Sequence, residues 1–121
     1  MGTDILRIDR IDSAMERTGV KFMQRILTDT EQQEFDSSGQ PNRLLAKRFA
    51  AKEAIAKALG TGIGRGVSWQ DIQIEHDKYG APRVHLSGGA ARVASERGAS
   101  RVELSLADEQ DLGGAFAVLA S

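Results

Sequence analysis

Apolar positions follow two rhythms along the chain. Between Leu44 and Leu59 they recur at helical spacing, and Leu44, Leu45, Phe49, Ile55, Ala56 and Leu59 share one arc at ~100° per residue. Ala50, Ala51, Ala54 and Ala58 line the opposite side. A helix that is apolar or alanine-lined nearly all round is buried on several sides. The stretch from near Asn42 to Gly60 therefore predicts a central helix. Arg48 and Lys52 fall inside its apolar arc, where an unpaired charge is very costly, so both require partners. Glu53 and Lys57 share an alanine-lined flank.

Upstream, Ile5, Leu6 and Ile8 predict a short first strand flanked by Asp4 and Asp9. A helix follows, with Asp12 or Ser13 as its N-cap. Gly19 interrupts the pattern, and a second helical piece runs from Val20 to Leu27. Thr28-Asp29-Thr30-Glu31 reads as an N-cap with an acidic first turn, opening a helix through Phe35. After the glycine alternation Gly60–Gly66 the rhythm becomes that of strands. Val67–Glu75 and Arg83–Leu86 predict a hairpin around the loop at 76–82. A short helix capped by Ser87 is expected from Gly88 to Arg97, then a strand from Arg101 to Leu106 and an acidic turn from Ala107 to Asp111. Gly114 to Ala120 is apolar on both faces, which places the final hairpin in the middle of the sheet. These elements predict one α+β domain over residues 1–121, a mainly antiparallel sheet packed on a long central helix.

Composition changes this picture only by exclusion. The 121 residues fit one domain, and 16 Lys and Arg against 17 Asp and Glu leave a net charge of −1. There is thus no global basic signal for nucleic acid. Cysteine is absent, which rules out disulfides and thiolate metal sites and is compatible with a reducing cytosol. No apolar run approaches the ~20 residues of a membrane span. Met1 leads directly to Gly2-Thr3-Asp4 without the pattern of a signal peptide. The expectation is a soluble cytoplasmic protein with no nucleic-acid or membrane partner.

Several charges have two readings. Asp4 is a solvated strand end or one of two carboxylates that hold Mg2+, an ion that takes few protein ligands and completes its octahedron with water and phosphate oxygens. Glu53 is the second such carboxylate, or an i,i+4 ion-pair partner of Lys57. Arg48, Lys52 and Lys57 gather phosphates or lay their stems over apolar surface. The glycines at 60, 62, 64 and 66 follow a helix, so they match neither a dinucleotide fingerprint nor a P-loop. Gly60 is explained by a helix C-cap, whereas the others leave a backbone cradle for an anion open. Arg17, Lys21 and Arg25, four apart, form a basic stripe with Arg7 and Arg10 nearby. It is either a solvated face or a surface that steers an acidic partner. His76 and His85 show no partner pattern.

Phe49-Ala-Ala-Lys52-Glu53-Ala-Ile-Ala-Lys57, followed by Ala58-Leu59-Gly60-Thr61-Gly62-Ile63-Gly64, resembles the signature of the 4′-phosphopantetheinyl transferases. Gly2-Thr3-Asp4-Ile5 resembles their Gly-x-Asp motif, and Ile26-Leu27-Thr28 and Trp69-Gln70-Asp71-Ile72 also match. The likeness covers nearly the whole chain and is to the short, single-lobe subfamily. It implies transfer of 4′-phosphopantetheine from coenzyme A to a serine of apo acyl carrier protein, in support of fatty acid biosynthesis. A non-catalytic module of the same fold, binding coenzyme A or the carrier, is the rival. By residue match, Asp4 and Glu53 look like Mg2+ ligands, and Glu53 and Lys57 like catalytic residues. Lys57, Arg48 and the loop around Gly62 look like coenzyme A contacts. Glu53 itself or a metal-bound water would take the serine proton. Arg10, Lys21 and Arg25 fall where such enzymes meet the acidic helix of the carrier. The short members are typically homotrimers with active sites between subunits, which would assign Ala115–Leu119 to an interface as well as a core. Many members carry Ser-x-Ser-His-Thr in the penultimate strand, whereas Ser105-Leu106-Ala107-Asp108-Glu109 places Asp108 at the histidine position. With only Met1 before Gly-x-Asp, a short, frayed first strand is expected.

Overall fold

The helix predicted at the centre of the chain is the centre of the molecule. In a computed structural model describing residues 1–108 and 111–121, the side chain of Asp108 excepted, helix α4 spans Pro41–Leu59. Proline at its first position gives up only an N–H that would be orphaned anyway. Gly60, at φ 86°, adopts the left-handed cap that an L side chain resists, and its N–H reaches Lys57 O at 2.9 Å. Strand β1 (Gly2–Arg7), helices α1 (Ile8–Thr18), α2 (Val20–Ile26) and α3 (Asp29–Ser37) precede it. After it come β2 (Ile72–His76), β3 (Pro82–Leu86), α5 (Gly88–Glu96), β4 (Arg101–Asp108) and β5 (Leu112–Ala120).

The strands form two antiparallel sheets rather than one. The first has the order β1-β5-β4, and the second is the β2-β3 hairpin. Only half of the final hairpin is central: β5 lies between β1 and β4, and β4 forms an edge that packs beside β3 without pairing with it. Nor is β1 frayed, since it pairs with β5 from Gly2↔Ala117 to Arg7↔Leu112.

The alanine side of α4 lies on β1 and β5, and the contact is unusually close. A Cβ on Gly2 would overlap the carbonyl oxygen of Ala54. Gly113, Ala115 and Ala117 are the buried residues that β5 turns inward. On the other side, Leu45, Ile55 and Leu59 are buried in one continuous cluster with Ile26, Leu27, Ile72 and Ile74. Phe49 stacks between Phe22 at 6.2 Å and Trp69 at 4.9 Å.

Boundaries depart from expectation where local chemistry competes with periodicity. Helix α1 begins at Ile8, directly from β1, so Asp12 and Ser13 lie inside it and cap nothing. Ile8, Ile11, Ala14 and Met15 carry its apolar spacing back to that point. The stretch before β2 is not strand. Ser68 and Asp71 close a reciprocal capping box around the one-turn 3-10 helix Trp69–Asp71. By contrast, the Thr28 cap of α3 is present, with Glu31 reaching back to Thr28 N at 2.9 Å.

Candidate active site

Alternation along β1 turns Gly2, Asp4 and Leu6 toward α4. Because Gly2 has no side chain, the strand lies close enough for the short Asp4 side chain to meet the helix. Lys57 Nζ donates to Asp4 Oδ1 at 3.1 Å and to Thr3 O at 3.2 Å. Glu53 sits one turn earlier. Burial raises its carboxyl above the ordinary range, the negative charge of Asp4 raises it further, and Lys57 opposes both. Lys57 forms its ion pair with Asp4 across the fold, not with Glu53 along the helix.

The structure thus brings Asp4, Glu53 and Lys57 into one cluster. Two carboxylates disfavour each other's charge, and one lysine compensates them only in part. A divalent cation would relieve that repulsion, and an oxygen-only donor pair suits Mg2+. Asp4 and Glu53 therefore fit the ion. Among the described residues no group of three or more His, Cys, Asp or Glu makes a site that would enclose it.

The cations predicted in the apolar arc are buried and paired. Lys52 is fully buried, and its Nζ donates to Glu31 Oε1 at 2.6 Å, Ile26 O at 2.7 Å and Trp69 O at 3.2 Å. Burial pushes the Lys52 ammonium below its ordinary pKa, and Arg48 adds to this. The charge and hydrogen bond of Glu31 oppose both. Glu31 is equally buried, and its second oxygen accepts from Ile74 N at 2.9 Å. One carboxylate therefore ties α3, α4 and β2 together. Arg48 donates from Nη2 to Glu34 Oε2 at 3.0 Å, and its Nε faces Glu31 Oε2 at 3.6 Å, beyond hydrogen-bond range.

Arg48 also lines a cleft of about 610 Å3 between α3, the first half of α4, the β2-β3 hairpin and β4. Arg43, Lys47, Glu34 and His76 share it, with Leu44, Pro82 and Leu106 as apolar walls. In the glycine run, Gly62 N bonds to Ala56 O at 3.0 Å, so that amide completes the helix terminus instead of facing a ligand. Gly64 and Val67 exchange main-chain hydrogen bonds at 2.8 and 2.9 Å, closing a tight loop.

Arg10, Lys21 and Arg25 are exposed on α1 and α2. Gly19 breaks the helix between Arg17 and Lys21, so the i,i+4 alignment survives only from Lys21 to Arg25. Arg7 pairs with Asp9 at 2.8 Å and lies outside the helix. The reading of Asp108 falls outside the described residues. Glu31, Glu34 and His76 were not singled out for function by sequence. The cap motif at Thr28 was the one signal that pointed to Glu31.

Residues 1–113 match the family model of the 4′-phosphopantetheinyl transferase superfamily. The holo-acyl-carrier-protein synthase of Shewanella amazonensis is 54% identical over 119 residues, covering 98% of this chain and 95% of that protein. The crystal structure of the same enzyme from Neisseria meningitidis superposes with a TM-score of 0.93 at 46% identity, covering 99% of this chain and 96% of that one. A Helicobacter pylori holo-acyl-carrier-protein synthase solved in complex with coenzyme A gives a TM-score of 0.85 at 29% identity, with 98% of each chain covered. A strand carboxylate and a helical Glu-x3-Lys pair meeting through an alanine-lined contact, on a chain matched from end to end, place this protein in the holo-acyl-carrier-protein synthase family of the 4′-phosphopantetheinyl transferase superfamily.

Proposed function

We propose that the chain transfers 4′-phosphopantetheine from coenzyme A to a serine hydroxyl of apo acyl carrier protein, with residues 1–121 acting as one domain. The observation that carries the reading is the meeting of Asp4, Glu53 and Lys57 at the β1–α4 contact. In the reaction the serine oxygen bonds to the β-phosphorus of coenzyme A. The bond from that phosphorus to the bridging oxygen breaks, and adenosine 3′,5′-bisphosphate leaves. Such a transfer needs positioning and neutralisation of charge more than covalent help. Lys57, half exposed and held by Asp4 and Thr3, offers a directed cation to the pyrophosphate. Asp4 and Glu53 would hold Mg2+, which supplies charge neutralisation at the phosphates when bound. The raised Glu53 carboxyl is a stronger base than an ordinary carboxylate, which suits it to accept the serine proton. The cleft lined by Arg43, Lys47 and Arg48 begins about 7.5 Å along the helix axis from Glu53, counted from Arg48. Its cations and apolar walls suit the nucleotide end of an extended coenzyme. The outer face of the first sheet exposes Ile5 and Phe116, 75% and 40% accessible, which supports a subunit interface of a homotrimer. No helix among the described residues is long and apolar enough to cross a membrane, and the chain has no cysteine; both suit a cytoplasmic enzyme.

Mass spectrometry of apo acyl carrier protein incubated with coenzyme A and Mg2+ tests the reaction. The expected result is one phosphopantetheine on serine, abolished by EDTA. A folded, coenzyme-binding protein that modifies none of several carriers would establish the non-catalytic module instead. Exposed Lys21 and Arg25 would meet the acidic carrier. Arg25→Glu is expected to raise KM for the carrier about 5–10-fold at low salt, with kcat preserved and a flatter salt dependence. An unchanged KM would return this face to solvent.

A further inference from the structure

Helix α2 carries Lys21 and Arg25, yet little in the helix itself fixes its orientation. It has seven residues, and no side chain caps its first turn at Gly19. So short a helix is marginal alone. Met23 and Ile26 bury one side of it, but apolar contact is not directional and does not fix how the helix is turned. Directional bonds come at its other end. The side-chain amide of Gln70 donates to Gln24 O at 2.9 Å, Leu27 O at 2.8 Å and Arg25 O at 3.3 Å. Its two N–H groups thus cover three carbonyls of the kind that a helix end leaves without partners. Gln32 shares Leu27 O at 2.9 Å, and Ile26 O accepts from buried Lys52.

Gln70 is itself firmly placed. It is the middle residue of the one-turn 3-10 helix, whose capping box includes Ser68 N to Asp71 Oδ2 at 3.1 Å. On one side of it, Trp69 O accepts from Lys52, the residue before Glu53 on α4. On the other, Asp71 O accepts from Ser87 N at 2.9 Å. Yet Gln70 is exposed and adds nothing to the core. An exposed amide that reaches three carbonyls of one helix end serves orientation more than stability. We propose that Gln70 is a positioning residue for carrier recognition. It clamps the end of α2 to the frame that carries Glu53, and so holds Lys21 and Arg25 in the arrangement that meets an acidic carrier. The inference rests on the reading of α2 as a docking face. Without the clamp, the docking arrangement is one of several, and the carrier selects it on binding. The KM for the carrier then rises by the inverse of its population, while the bound complex and kcat are unchanged.

Gln70→Leu removes both donors at an exposed position and is expected to fold. Its KM for the carrier should rise about 3–6-fold, with kcat and the KM for coenzyme A within about 2-fold of the parent. In the free protein, the amides of α2 should exchange with deuterium faster than in the parent, and those of β1 and β5 at the same rate. In a Lys21→Ala/Arg25→Ala background the same substitution should add less than about 1.5-fold, because the carrier no longer uses the helix being positioned. Effects that multiply in full would make Gln70 a direct carrier contact and overturn the positioning role. So would an equal rise in the KM for coenzyme A, which marks a general loosening. A carrier KM raised by Arg25→Glu but not by Gln70→Leu overturns the role and leaves the docking face standing. A carrier KM that neither substitution moves removes the docking face and the role with it.

Discussion

Glu53→Gln is expected to fold, to melt at or above the temperature of the parent, and to lose about 10^3-fold in turnover. The substitution is isosteric, so the close packing of α4 on β1 is kept. It removes a charge that the fold disfavours, because burial and Asp4 both raise the Glu53 carboxyl. A raised carboxyl binds its proton more tightly folded than unfolded, so its ionised form at neutral pH costs stability, and the amide removes that cost. The same change removes a metal ligand and the proposed base. Turnover measured with saturating carrier, beside a thermal melt without Mg2+, separates the two effects. Near-parental turnover would remove Glu53 from both roles, and a lower melting temperature would contradict the electrostatic reading of Asp4 and Glu53.

Lys52→Met should behave in the opposite way. Glu31 would remain fully buried without its 2.6 Å partner, and the carbonyls of Ile26 and Trp69 would each lose a donor. Removing one member of a buried ion pair costs about 3–5 kcal/mol. For a chain of this size that lowers Tm by roughly 10–20 °C. Activity per folded molecule should persist at low temperature, because Lys52 meets Glu31 and not the Asp4 cluster. Denaturant unfolding gives the stability change and a cold assay gives the activity. A loss below about 1 kcal/mol would show that Arg48 alone compensates Glu31.

The contrast between these neighbours shows what can be read from a linear chain. The central helix was legible because its apolar and alanine positions leave no solvent face. That Lys52 needed a partner was legible too, from a charge inside an apolar arc. The partner was not, because Glu31 lies 21 residues upstream and presents itself as an ordinary helix cap. Only folding shows that its second oxygen reaches Ile74 N. Glu53 and Lys57 invited a local ion pair, and the tertiary approach of Asp4 diverts Lys57 from it. Of the charges around His76 only Asp77 is its neighbour in the hairpin; Arg48, Lys47 and Glu34 come from helices α4 and α3, and no spacing within the hairpin announces them.

The contact between Gly2 and Ala54 has a genetic consequence. The width of one methyl group sets how near β1 comes to α4, and so how near Asp4 comes to Glu53 and Lys57. Positions 2, 54 and 58 carry no reactive group, yet a saturation scan for growth should find them as intolerant as the charged residues. A bulkier residue at position 2 should find no suppressor through lost side-chain volume on α4, because it would meet the main-chain oxygen of Ala54 and the main-chain nitrogen of Ala58. In this family, a roster of essential positions would mix chemistry with clearance, and only assays of folded, purified variants would tell the two apart.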